Sequence, residues 1–136
     1  MPTEVFLSHS STDRDFATRL AEMLRRHGVP VWYSDTNIRG AQQGHDEIGA
    51  ALRRCDWFIV ILSNASVESM WVKRETLYAL QQVRYENKIV PVLLEECDPD
   101  RLSWVLGSFQ VIDYKDDFGA ANAKLLKVWG YGYQPA

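Results

Sequence analysis

The chain has 136 residues, 46% of them hydrophobic and 24% charged, with a formal net charge of -3. Those totals suit one globular domain, residues 1–136, around one core. They show no basic excess to attract nucleic acid, and no apolar run comes near the ~18 residues that a membrane span needs.

The first four residues, Met1-Pro2-Thr3-Glu4, carry no leader pattern and run straight into a short apolar strand, Val5-Phe6-Leu7. A hydroxyl-rich turn follows, Ser8 to Asp13, with Ser11 or Thr12 as the expected N-cap of a helix. That helix carries an apolar stripe of Phe16, Ala17, Leu20, Ala21 and Leu24, and Gly28 and Pro30 stop it. His27 is expected to cap its C-terminus. Val31-Trp32-Tyr33 is a second strand, and a polar loop from Ser34 to Gly44 is long for a compact α/β unit. A helix is expected over about Asp46 to Arg54, with His45 in the loop before it. Trp57-Phe58-Ile59-Val60-Ile61-Leu62 is a continuous apolar run, the pattern of a central parallel strand covered on both faces.

After the loop Ser63-Asn64-Ala65-Ser66, the segment Ser69 to Glu75 opens another helix. Val72, Thr76, Ala79, Leu80 and Val83 share its inward arc at a period of 3.6. Trp71 and Glu75 stand one turn apart on the next arc, at the border of core and solvent. Ile89-Val90-Pro91-Val92-Leu93-Leu94 is a fourth strand whose proline suggests a bulge or a position near an edge. An acidic loop covers Glu95 to Ser103. Phe109-Gln110-Val111-Ile112 is expected as a fifth strand, and Phe118 to Trp129 as the last helix.

Strands and helices thus alternate five times. That order predicts an α/β fold, a flavodoxin-like three-layer sandwich. Its five-stranded parallel sheet has the order 2-1-3-4-5, with helices on both faces. Its ligand crevice lies beyond the carboxyl ends of strands one and three, where Ser8-His9-Ser10 and the approach to Trp71 and Glu75 fall. Spacing alone leaves two readings open. Glu75 is either a flank residue paired with Lys73 or Arg74, with Trp71 as packing, or the pair is a site for a flat ring joined to a sugar.

Several chemistries are missing from the sequence. There is no G-x-G-x-x-G, no G-x-x-x-x-G-K-[ST] and no G-x-S-x-G. The acidic pair and acceptor aspartate of a phospho-receiver are replaced by Ser8-His9-Ser10 and Leu62-Ser63-Asn64. His9, His27 and His45 lack metal-ligand spacing with each other or with the cysteines, so no metal site is expected. Cys55 and Cys97, far apart, read as packing residues of a protein in a reducing cytoplasm.

Taken together, Val5 to Asp13, Gly28 to Tyr33, the Ser34–Gly44 loop, Cys55 to Ser63 and Ser69 to Glu75 resemble, in order, the signature boxes of bacterial TIR domains. The third strand is followed by their W-x-x-x-E segment. The resemblance covers essentially the whole chain. It implies an NAD+ nucleosidase that releases nicotinamide and yields ADP-ribose or a cyclic isomer, with Glu75 as the catalytic residue. Trp71 would lie beside the nicotinamide, and His9, Ser10 and Asn37 would contribute to substrate binding. NAD+ would be substrate, with no cofactor. The resemblance also implies self-association through the Ser34–Gly44 (BB) loop, a role in antiphage defence and a downstream effector reached through a nucleotide signal. The alternative within the family is a non-catalytic self-association module.

Overall fold

The computed structural model describes residues 2–34 and 41–136. Five strands form one sheet: β1 (Val5–Ser8), β2 (Val31–Trp32), β3 (Trp57–Leu62), β4 (Ile89–Leu93) and β5 (Ile112–Asp113). Their order is β2-β1-β3-β4-β5 and every pairing is parallel. The helices are α1 (Arg14–Arg26), α2 (Ala41–Arg54), α3 (Met70–Leu80) and α4 (Phe118–Lys127). This is the layered fold and strand order that the alternation of patterns predicts.

Side chains alternate across a strand, so each sheet face gathers its own core. Val5, Leu7, Ile59, Ile61, Val90 and Val92 pack with α1 and α4 on one face. Phe6, Phe58, Val60, Leu62 and Ile89 pack with α2 and α3 on the other. The same alternation puts Ser8 on the side of Phe6, under α2 and α3. β3, buried through Phe58–Leu62, is the central strand, as its unbroken apolar run requires.

The proline suggests a bulge or a position near an edge, and β4 does stand next to the edge strand β5. Leu94 N–H donates to the Leu62 carbonyl on β3, whereas Tyr114 N–H donates to the Leu93 carbonyl from the β5 side. Residues of a parallel strand alternate in the neighbour they bond, so the Pro91 nitrogen faces β5. Pairing with β5 starts only at Val92, so the proline costs the ladder nothing.

Other boundaries moved for local reasons. Ser11 and Thr12 are not N-caps; they sit in a 3-10 turn, Ser11–Asp13, ahead of α1. The N-cap residue of α1 is Asp13, whose carboxylate is engaged elsewhere. At the other end of α1, Gly28 adopts φ +82°, and Val29 N–H returns to the Leu24 carbonyl. His27 Nδ1 lies 2.8 Å from the Met23 carbonyl oxygen, the expected cap. α2 begins at Ala41, five residues before the expected start, so His45 is helical rather than loop. Val83 leaves the inward arc of α3: it lies in a separate 3-10 turn, Val83–Tyr85, and is 84% exposed, while Tyr85 is buried in its stead. The fifth strand is Ile112–Asp113, not residues 109–112, because residues 104–108 form a 3-10 helix that ends at Phe109.

Candidate active site

α3 is set by a serine cap. Ser69 Oγ accepts from Val72 N–H at 3.2 Å, and the helix then turns Val72, Glu75, Thr76 and Ala79 inward. Glu75 is buried with the sheet-facing side chains, not at a solvent border; it is 8% exposed. Beneath it is Ser8, at the carboxyl end of β1 and 1% exposed. Ser8 Oγ donates to Glu75 Oε1 at 2.6 Å. Among the described residues neither Lys73 nor Arg74 forms an ion pair with Glu75, so the flank-pairing alternative fails.

A carboxyl in that position is out of water, with one hydroxyl for a partner among the described residues. Burial pushes its pKa up to about 7, and the Ser8 hydrogen bond acts in the opposite sense. Near neutral pH it therefore exchanges between acid and carboxylate. A buried carboxyl poised this way beside a cavity is a mark of a functional site.

The cavity is the gap between α2 and α3, about 280 Å³. From α3 it is lined by Trp71, Arg74, Glu75 and Tyr78. From α2 it is lined by His45, Ile48, Gly49, Leu52 and Arg53, one helix face at a spacing of three and four. Trp71 is half-buried, with the Arg74 guanidinium carbon 5.7 Å from its ring centroid and the His45 ring at 6.5 Å. The far wall is anchored at the last turn of α2, where Tyr85 Oη donates to the Leu52 carbonyl at 2.6 Å and Arg84 donates to the carbonyls of Leu52 and Cys55.

The structure brings together two of the five site residues expected from sequence, Trp71 and Glu75. His9 and Ser10 lie outside the cavity lining. His9 is half-buried, with Nδ1 2.6 Å from the Ser10 carbonyl oxygen and Nε2 2.9 Å from that of Ser34, so it ties the end of β1 to the end of β2. Ser10 is buried and its Oγ donates to Asp13 Oδ2 at 2.9 Å. Asn37 lies outside the described residues. Sequence reading put Ser8 at the crevice without a role, and missed His45 and Arg53. The period-2 pattern of β1 could have placed Ser8 under α3; nothing in the sequence distinguished Arg53 from any other helical arginine.

A second buried polar group braces the loops above the sheet. Asp13 Oδ2 accepts from Ser63 Oγ at 2.5 Å as well as from Ser10. Ser63 Oγ in turn accepts from Ser66 N–H, and Ser66 Oγ accepts from Ser63 N–H. The loops after β1 and β3, which carry the approaches to Ser8 and to α3, are thereby locked together. Among the described residues no three His, Cys, Asp or Glu side chains gather where they could hold a metal ion.

Residues 5–126 match the TIR domain family, and the chain belongs to it. It is 33% identical over 94 residues to the NAD(+) hydrolase PdTIR of Paracoccus denitrificans, covering 67% of this chain and 31% of that one. It is 28% identical over 91 residues to the probable 2' cyclic ADP-D-ribose synthase TcpO of Methanobrevibacter olleyae, covering 66% of this chain and 27% of that one. The chain spans less than a third of the length of the curated relatives it matches. In fold it is similar to the TIR domain of the Toll-related receptor TRR-2 from Hydra magnipapillata, with a TM-score of 0.73 at 17% identity, over 91% of this chain and 94% of that one.

Proposed function

We propose that this domain cleaves NAD+ at the nicotinamide–ribose bond. The observation that carries the reading is Glu75: a buried carboxyl, held by Ser8 and opening on a cavity walled by an indole. The relatives named as NAD(+) hydrolases and 2' cyclic ADP-D-ribose synthases support it.

The chemistry needs little more. Nicotinamide in NAD+ carries its own positive charge and leaves neutral, so the general acid of an ordinary glycosidase is dispensable. What remains is to hold the ribose and to oppose the charge of an oxocarbenium-like transition state with one carboxylate. Glu75 Oε1 is taken by Ser8, and Oε2 has no hydrogen-bond partner among the described residues; it is the oxygen available to a ribose hydroxyl. Trp71 would fix the plane of the nicotinamide ring. Water attack on the anomeric carbon gives ADP-ribose; attack by a hydroxyl or ring nitrogen of the same molecule gives a cyclic isomer. NAD+ is then substrate, and no cofactor is called for. We assign the domain to the cytoplasm and to antiphage defence on the same reading, with assembly through the BB loop and a downstream effector that responds to the product or to loss of NAD+. Among the described residues no helix is long and apolar enough to cross a membrane.

The test is incubation with NAD+ over a range of protein concentrations, with chromatographic identification of nicotinamide and of the ribose product. Release that rises faster than linearly with protein concentration supports both cleavage and assembly. No release at any concentration favours the non-catalytic module. That second reading draws on apolar side chains outside the cavity lining, among them Val83 and Trp104, which are 84% and 80% exposed.

A further inference from the structure

Two guanidinium groups flank the α2–α3 cavity, one from each helix. Arg53 comes from α2 and Arg74 from α3, and both line the gap. Among the described residues neither takes part in an ion pair or a hydrogen bond. Their neighbour Arg54 behaves differently: it points away and pairs with Glu4 at 2.6 Å. A basic residue in the last turn of a helix commonly needs no further explanation. Arg53, however, folds back along the cavity face. A Cβ placed on Gly49 would stand 3.3 Å from Arg53 Nη1, so the glycine leaves the space that the guanidinium covers. Arg74 likewise lies back over the Trp71 ring. Among the described lining residues Glu75 is the one acid against two guanidinium groups, so they leave the mouth of the cavity net cationic.

Size adds to this. At about 280 Å³ the cavity is just below the usual range of about 300–1,000 Å³ for small-ligand pockets. It can enclose the nicotinamide end of a dinucleotide but not the whole molecule, so the phosphates of a ligand held at Glu75 fall at the rim. We propose that Arg53 and Arg74 form a pyrophosphate subsite, one guanidinium from each wall, which seats the dianionic linkage of a dinucleotide and leaves its second nucleoside outside the cavity. The choice of ligand rests on the NAD+-cleaving reading. The fork of an arginine suits paired phosphate oxygens better than a lysine would.

The test is titration calorimetry of ADP-ribose, which carries the pyrophosphate but no nicotinamide and is not cleaved, into the full chain. Arg53→Gln and Arg74→Gln are each expected to weaken binding about tenfold. The pair together should also flatten the dependence of affinity on salt, while Arg54→Gln leaves it unchanged. All three arginines are exposed, so thermal unfolding should report folded protein throughout. In turnover, the double variant should raise KM for NAD+ several-fold more than KM for nicotinamide riboside, which has no phosphate. Unchanged ADP-ribose affinity in the double variant, no ADP-ribose binding by the unaltered protein at millimolar concentration, or an equal loss with both substrates overturns the subsite. Arginine-dependent ADP-ribose binding by a protein that releases no nicotinamide upholds the subsite and rejects the reaction instead.

Discussion

Ser8 and Glu75 are 67 positions apart in sequence and 2.6 Å apart between Ser8 Oγ and Glu75 Oε1, one at the end of the first strand and the other in the second turn of α3. Both are buried, so the bond acts where water cannot replace it. It holds the carboxyl against the sheet and favours its ionised form against the burial that opposes it.

Ser8→Ala therefore removes a stabilising partner of the carboxylate. The acid limb of the pH profile of kcat/KM should lie near pH 7 in the unaltered protein and move to higher pH in the variant. At pH 7 the rate should fall by about tenfold, the effect of one hydrogen bond to a charged group. A pH–rate series on both proteins reads this directly. An unshifted limb would mean that the hydroxyl is only packing.

Glu75 should also lower the stability of the fold at neutral pH. Its folded pKa, about 7, is raised above the ordinary 4.5, so the neutral acid suits the fold. That contribution is whole below pH 4.5 and is lost as pH rises through 7. Glu75→Gln, which cannot ionise, should be more stable than the parent at pH 8, by up to about 3 kcal/mol. The two should converge near pH 4. Urea unfolding at the two pH values measures the difference.

How much of this was legible in the sequence differs by element. β3 and its order in the sheet follow from an unbroken apolar run, because a strand covered on both faces has no polar side to mark. The Trp71–Glu75 pair follows from helical spacing. The depth of Glu75 does not, since a helical wheel cannot say how closely α2 approaches α3. β5 was misplaced because residues 109–112 look like a strand, while the chain before them winds into a 3-10 helix and Phe109 is used for packing. Ser10 and Asp13 read as members of a hydroxyl-rich turn from composition alone; the hydrogen bond that Asp13 accepts from Ser63, 50 positions later, is tertiary. Pro91 was legible as a mark of a position near an edge, since β4 lies next to the edge strand β5 and pairs with it only from Val92.

Asp13 makes its own prediction. Its Oδ2 joins Ser10 to Ser63, and Ser63 Oγ satisfies Ser66 N–H. Ser63→Ala strands that N–H and removes one of the two hydroxyls on the carboxylate. It should cost about 1–3 kcal/mol of stability, the penalty for a buried polar group left unpaired. Ser11→Ala, next to the network and exposed, should change stability by less than about 0.5 kcal/mol. Denaturant midpoints compare the two.

Trp71 divides binding from chemistry. Trp71→Ala removes the flat wall of the cavity and should raise KM for NAD+ by about fivefold, in line with about 1 kcal/mol for an aromatic contact beyond its buried area. Trp71→Phe should restore most of that loss. Steady-state kinetics on the pair give the answer, and an equal defect in both would assign the indole N–H a part of its own.

The most direct measurement is the rate of nicotinamide release from NAD+ by the unaltered protein and by Glu75→Gln, at the same high protein concentration and with folding checked by thermal unfolding. The unaltered protein should turn over NAD+, and the variant should be slower by at least about a hundredfold, the share expected of one charge opposed to the transition state. Equal release by the two proteins would contradict the account.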